Sequence, residues 1–460
     1  MKLLAVSIGH DASITILNDG KIELYLAASR ISRRKHDWNA IKCLDHLIAT
    51  NNTTFDSIVV DFFKLIHYNL QKEIQQAFKH FTCDDIKYTH ERHHLYHAYT
   101  GYYHSSFDDA LCIVLDGAGA EFDDGTRETE SVYHINNHTF TPVCTSTSHD
   151  VSQTNGHKFV NISQYCGFGE WGAGKVMGLA PYTHLPTIEQ VKIDACKYVQ
   201  QDCEQHTIDL INQYKHLSNN IIISGGYALN CVANTRFKHT FPEHNIQIDP
   251  TCSDDGISIG LAYYYTQDNV QRLQSLYIGT PFNPPITNST TYHDVAQLLS
   301  QGHVIGMCQG QSEAGKRALG NRSLLFDPRL SHEHINSIKG REHWRPFAGT
   351  VLKEYANQWF DVDNSPYMQY TVNVKTNSIP AITHVNNTCR VQTVDQQQNY
   401  HFYHLINAFN DITSIPILGN TSFNYAGEDI AETYQQALDT AHKMNIQYLF
   451  VPDVMGLVIL

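Results

Sequence analysis

No two of the 11 cysteines stand in a CxxC pair, and their number is odd. A zinc ribbon and a disulfide framework are both disfavoured, and reduced thiols in a cytosol fit best. No run approaches the ~18 consecutive apolar residues of a membrane-spanning helix. The opening MKLLAVSIGHD meets His10 and Asp11 too soon to build the apolar stretch of a secretory leader. A cytoplasmic, untargeted protein is the expectation. Basic residues are scarce, with 32 Lys and Arg against 46 Asp and Glu and a net charge of -14. That deficit argues against a strong nonspecific hold on nucleic acid, which needs many cations near phosphates. A local basic site for a phosphorylated substrate is still compatible with it. No internal repeat and no low-complexity tract is visible.

What is present is a soluble globular composition, 42% hydrophobic and 17% charged over 460 residues, long enough for two domains. Leu3 to Ile8, Ser13 to Leu17 and Lys21 to Ala27 read as strands, the last two joined by an Asn18-Asp19-Gly20 turn. Leu111 to Glu121 and Ile221 to Asn230 each read as a buried strand ending in glycines, and Thr187 to Tyr214 has helical period. Strands alternating with helices predict an α/β arrangement. The segment Thr280 to Thr290, rich in Pro, Asn and Thr, is the best boundary candidate. It divides the chain into residues 1–280 and 281–460. Beyond it, Arg317, Arg322, Arg329, Lys339, Arg341, Arg345 and Arg390 fall in a region of otherwise modest charge.

In ERHHLYHAYTGYY, His93 and His97 stand at i and i+4 and would share one helix face, able to hold one metal ion. HxxxH alone is a weak signal among 28 histidines. Asp116, at a strand end, and Asp254, in SDDG, could complete a nitrogen and oxygen set that suits iron, manganese or zinc better than copper(I). The competing reading makes Asp254 only the cap of the helix that follows. Gly117-Ala118-Gly119 and Gly225-Gly226 supply backbone N–H groups that phosphates or an adenosine can approach. Arg forks bind phosphate oxygens bidentately and stay charged, so the Arg and Lys cluster in an acidic chain is read as an anion site.

Taken in order, GHDAS, RKHD, HHLYHA, LDGAGAE, GKVMGLAPY, GGYALNCVAN, SDDGISIG, RALGNRS, RPFA and NTSFN resemble the nodulation and antibiotic-type O-carbamoyltransferase family. The correspondence runs from Gly9 to Asn424. The resemblance implies an actin/sugar-kinase-like N-terminal domain, related to proteins that make threonylcarbamoyladenosine in tRNA, and a C-terminal YrdC-like α/β domain. It implies two steps. Carbamoyl phosphate and ATP give carbamoyl-adenylate on the C-terminal domain, and the carbamoyl group then passes to an acceptor hydroxyl at a metal site of the N-terminal domain.

By the same resemblance, His93, His97, Asp116 and Asp254 are the ligands of a divalent metal, taken as Fe(II), with Mg a further candidate for ATP. Gly117, Gly225, Gly226 and Asn230 lie on nucleotide-binding turns. Lys339, Arg345, Arg390, Asn420 and Ser422 match the carbamoyl-phosphate and ATP pocket, with Arg317 and Arg322 close to it. His10 is the expected base that takes the acceptor's proton, and Asp11 orients it or binds the acceptor. Acceptors in view are sugar or aminoglycoside hydroxyls, a polyketide hydroxyl, a toxin-type alcohol and a hydroxymethylated base in DNA. Nucleic acid is a partner only in that last case, no membrane partner is expected, and the oligomeric state stays open. The chain departs from the family pattern at Ala28-Ser29, where an acidic pair is usual, at Lys316 for proline, and at Asn386-Asn387 for Asp-Gly. A tRNA-modifying carbamoyl-type transferase and a non-catalytic nucleotide-binding scaffold are the alternatives.

Overall fold

The computed structural model describes residues 1–62, 68–90, 92–266, 270–285 and 288–460. Glu91, which opens the histidine segment, and residues 286–287 of the boundary segment lie outside the described residues. The chain forms two compact units, one of residues 1–176, 194–278 and 314–316, the other of 177–193, 279–313 and 317–460.

The first unit begins with β1 (Lys2–Ile8), β2 (Ser13–Asn18) and β3 (Lys21–Ala27), followed by β4 (Ser57–Phe62) and β5 (Asp85–Thr89). Asp19 and Gly20, at φ 46° and 79°, make the two-residue turn whose left-handed backbone matches strand twist. The sheet order is β3-β2-β1-β4-β5, antiparallel among the first three strands and parallel from β1 to β4 to β5. Leu3 and Ala5 point into one core while Leu4, Val6 and Ile8 point into another. Burial on both faces is why β1 reads as an unbroken apolar run.

A second sheet of the same unit is built from β6 (Asp109–Leu115), β7 (Arg127–Asn136), β8 (Thr139–Ser148), β9 (Asn220–Ser224) and β10 (Asn245–Ile248). Its order, β10-β9-β6-β7-β8, repeats the first sheet, with β6, β7 and β8 antiparallel and β6, β9 and β10 parallel. This duplicated architecture is the actin/sugar-kinase arrangement. The duplication is carried by hydrogen-bond order alone; no repeat is legible in the residues. Two helices, His93–Tyr103 and Ile257–Thr266, pack on one another through Gly260. A Cβ there would lie 1.9 Å from the Tyr96 carbonyl oxygen, so only glycine permits this approach.

The second unit is organised around an eight-stranded mixed sheet. Its strands run, in spatial order, Thr371–Asn373, Thr388–Val394, Ala348–Leu352, Ile417–Ser422, Arg322–Phe326, Ile305–Cys308, Tyr448–Val451 and Gly456–Ile459. Before Thr388, Asn387 takes a φ of 58°, a left-handed conformation that asparagine tolerates. Among the described residues no helix is long and apolar enough to cross a membrane.

Candidate active site

The helix His93–Tyr103 directs His93 and His97 to one side, where the end of β6 brings Asp116 and the turn Asp254–Gly256 brings Asp254. All four are buried, and one ligand atom from each lies within 4.8 Å of the others. His93 Nε2 is 3.1 Å from Asp116 Oδ2, and His97 Nε2 is 3.5 Å from both Asp116 Oδ2 and Asp254 Oδ1. Ser253 is the helix N-cap residue, without a side-chain cap bond, so Asp254 serves the cluster and not the helix end.

Neither ring nitrogen of the fully buried His97 has a hydrogen-bond partner. Such a group costs free energy unless something else satisfies it. Two imidazoles and two carboxylates carry two negative charges when the rings are neutral, which fits a divalent cation. The nitrogen–oxygen separations of 3.1–3.7 Å are those of atoms able to share one ion at about 2.0–2.2 Å. The residues present therefore fit a metal.

Burial opposes ionisation of Asp116, yet the His93 and His97 imidazoles beside it hold it well below the usual carboxylate range. Burial likewise disfavours the charged form of His97, and Asp116 and Asp254 outweigh it, raising the ring to about 10. Asp61, at the end of β4, is pushed by burial up to about 7.

Gly225 and Gly226 lie against the end of β6. Gly226 donates its N–H to Asp116 Oδ1 at 3.1 Å, fixing that carboxylate. Gly225, at φ 86°, passes so close to β6 that a Cβ would sit 2.3 Å from the Leu115 carbonyl oxygen. Asn230 caps the helix Cys231–Thr240 through Ala233 N–H and pairs with Gln200. The Gly117 carbonyl accepts from Thr154 Oγ1 at 2.7 Å and His157 Nδ1 at 2.8 Å.

His10 stands beside the cluster, Nε2 lying 3.2 Å from Asp254 Oδ2 and Nδ1 3.4 Å from Asp11 Oδ2. Burial disfavours its charge, but Asp254, Asp11 and Asp116 together raise it to about 9. Without a metal the ring is thus protonated at pH 7, contrary to the neutral imidazole expected from its ordinary value. A divalent ion would offset the Asp254 and Asp116 charges and return His10 toward that value. Asp11 is a hub: its carboxylate also meets His36 Nδ1 at 2.8 Å and Lys316 Nζ at 2.6 Å. Burial would raise Asp11, but Lys316, His10 and His36 hold it well below the usual range. Lys316 also lies 3.4 Å from Asp255. The Lys316 departure therefore reaches a proposed catalytic residue, which the motif alone did not show.

In the second unit, Arg341, Arg345 and Arg390 influence one another electrostatically. Burial first, then Arg345 and Arg390, push Arg341 well below its usual value, and burial with Arg390 lowers Arg345. Arg341 donates to Asn336 Oδ1 and the Pro346 carbonyl and lies 4.0 Å over the Phe347 ring. Glu342 is 3.8 Å from Arg345, and Arg390 Nε is buried with no hydrogen-bond partner. Several guanidiniums facing so little negative charge could hold an anion. Arg341 is one of the arginines beyond the boundary segment, and the family resemblance does not assign it to the pocket. Lys339 is buried, donating to the Ser422 carbonyl and, at 3.0 Å, to Asn424 Oδ1. Arg317 is half-buried.

Two of the residues expected in or near the pocket are fully enclosed. Arg322 is fully buried, and its guanidinium is spent on the carbonyls of Glu432, Gln309, Asn321, Thr280 and Gly310, leaving no N–H for a phosphate. Asn420 is enclosed, its Nδ2 donating to the Ala318 carbonyl, Thr350 Oγ1 and Gln392 Oε1. Arg322→Met should accordingly cost roughly 3–5 kcal/mol of stability, because buried carbonyls are left unpaired. Urea denaturation measures it; a loss under about 1 kcal/mol would return Arg322 to the candidate binding residues.

Residues 197–263 match the family described as carbamoyltransferase N-terminus, and residues 296–456 match carbamoyltransferase C-terminus. The chain carries both carbamoyltransferase modules. Nodulation protein NolNO of Sinorhizobium fredii is 30% identical over 425 residues, covering 76% of this chain. This chain spans 61% of the length of that protein. The 3'-hydroxymethylcephem-O-carbamoyltransferase of Amycolatopsis lactamdurans is 34% identical over 225 residues, 45% of this chain and 43% of its own. Among solved structures, a ROK family protein from Streptococcus pneumoniae aligns over 58% of this chain and 99% of itself, at 13% identity and a TM-score of 0.37.

Proposed function

We propose that the chain is an ATP-dependent O-carbamoyltransferase working through carbamoyl-adenylate. The observation that carries this is the buried His93, His97, Asp116 and Asp254 cluster with His10 against it, in a chain matched by both carbamoyltransferase modules. In the first step water releases phosphate from carbamoyl phosphate; a carbamate oxygen then attacks the α-phosphorus of ATP and pyrophosphate leaves. Lys339, Arg341, Arg345 and Arg390 hold the phosphates against their mutual repulsion. In the second step the acceptor hydroxyl attacks the carbamoyl carbon, AMP leaves, and the hydroxyl proton passes to the His10 imidazole. A divalent ion bound in the cluster would supply Lewis acidity to an oxygen of the reacting groups. Asp11 holds the His10 ring. That the Amycolatopsis relative is named for a hydroxymethyl acceptor supports transfer to oxygen.

The test is incubation with ATP, Mg and carbamoyl phosphate, with pyrophosphate as the readout and omission of carbamoyl phosphate as the control. Pyrophosphate release that depends on carbamoyl phosphate is expected. Its absence sinks the adenylate route and favours a nucleotide-binding scaffold. Arg345→Ala should raise the carbamoyl phosphate needed for half-maximal release tens-fold, since a charge-assisted hydrogen bond is worth roughly 1.5–3 kcal/mol. An unchanged concentration dependence removes Arg345 from the pocket.

A further inference from the structure

Two of the chain's four tryptophans stand on the surface beside His10. Trp38 is 49% exposed and Trp171 48%, although indoles are usually well buried. The His10 ring lies 6.0 Å from Trp38 and 5.2 Å from Trp171, while His36 stacks on Trp171 at 3.9 Å and an interplanar angle of 16°. Asp11 contacts both imidazoles and Lys316, so one buried carboxylate anchors the polar edge of an aromatic wall.

The backbone under this wall is also unusual. Asp11, Arg33 and His36 have φ values of 64°, 64° and 56°, the left-handed region that residues with a Cβ rarely enter. Such conformations persist where surrounding contacts over-determine them, and they concentrate at ligand sites. Neither indole has a part in the chemistry of the two steps above. A purely structural role would have buried them.

We propose that Trp38 and Trp171 form the acceptor platform: a hydroxyl-bearing ring compound, such as a glycoside or a nucleoside, lays one ring face on their exposed indoles with that hydroxyl near His10. The assignment rests on the carbamoyl-transfer reading. An indole face binds the polarised C–H groups of a sugar or the face of a base, whereas an open-chain alcohol presents no matching surface. His10, His36 and Lys316, with side chains 33%, 22% and 21% exposed, supply hydrogen bonds at its edge.

The test uses the full chain and ligand-observed saturation-transfer NMR with three probes: methyl α-D-glucopyranoside, 5-hydroxymethyl-2'-deoxycytidine and sorbitol. One of the two ring probes should show saturable contact, sorbitol should not, and the ring that binds identifies the acceptor type. Trp171→Ala and Trp38→Ala should each weaken that binding about tenfold, and Trp171→Phe should retain most of it, at unchanged melting temperature. The proposal is overturned by contact with neither ring, by equal contact with sorbitol, or by ring binding that survives both alanine substitutions. Wild-type pyrophosphate release, which needs no acceptor, reports separately on the carbamoyl-transfer reading.

Discussion

His97→Ala protein is expected to emerge from metal loading without its divalent ion and without acceptor carbamoylation, while still releasing pyrophosphate from ATP and carbamoyl phosphate. Losing a group that merely orients a metal ligand typically costs 10–100-fold in affinity, so loss of a buried ligand should cost roughly a hundredfold or more. His97 is fully buried between Asp116 and Asp254, so no outside side chain or bulk water readily takes its place. Proton and metal compete for this ring. In the metal-free protein its value is raised from 6.5 to about 10. A group raised on folding adds stability that is fully present below the unfolded value and lost as pH climbs through the folded one. The metal-free protein should therefore weaken between about pH 6.5 and 10, while apparent metal affinity rises over the same range. Elemental analysis of the variant decides the ligand assignment: stoichiometric metal would remove His97 from it.

The clustering of His93, His97, Asp116 and Asp254 was legible because its pieces obey one-dimensional rules. His93 and His97 follow the helical period, Asp116 ends an apolar strand, and Asp254 precedes a helix. The opening hairpin was legible for the same reason, its turn residues adopting the conformation their chemistry favours. What could not be read depends on which side of an element a residue faces and on what has packed around it. Arg322 and Arg345 look alike in a list of arginines. Only the fold shows one surrounded by carbonyls and the other beside cations. Lys316 reaches Asp11 across 305 residues, and Trp171 meets His36 in the same way, from a distant glycine-rich turn. The duplicated sheet order could be reached only through the family resemblance, since strand pairing can be kept while residues diverge.

His10→Asn is expected to lower carbamoyl transfer by ~10²–10⁴-fold, the usual contribution of general-base catalysis, and to spare pyrophosphate release. Asparagine keeps a polar side chain of similar reach but holds no proton at neutral pH. The acceptor's proton then has no protein group to receive it. The pH dependence gives a second, independent signature. A base works only when unprotonated, so wild-type transfer should fall as pH drops below the His10 value. That value is about 9 while the Asp254, Asp11 and Asp116 charges stand unopposed, and it lies closer to the ordinary 6.5 once a divalent cation offsets two of them. The metal-loaded enzyme should accordingly show an ascending limb between those limits, and the asparagine variant should lose that limb. If His10 instead holds the fold, through its contacts to Asp254, Asp11 and the two tryptophans, both half-reactions should fall together and the melting temperature with them. Transfer rate and pyrophosphate release measured on one folded preparation separate the two roles. Near-wild-type transfer with an intact pH limb would leave the proton to another group, and Asp11, held charged by Lys316, is too weak a base to be that group.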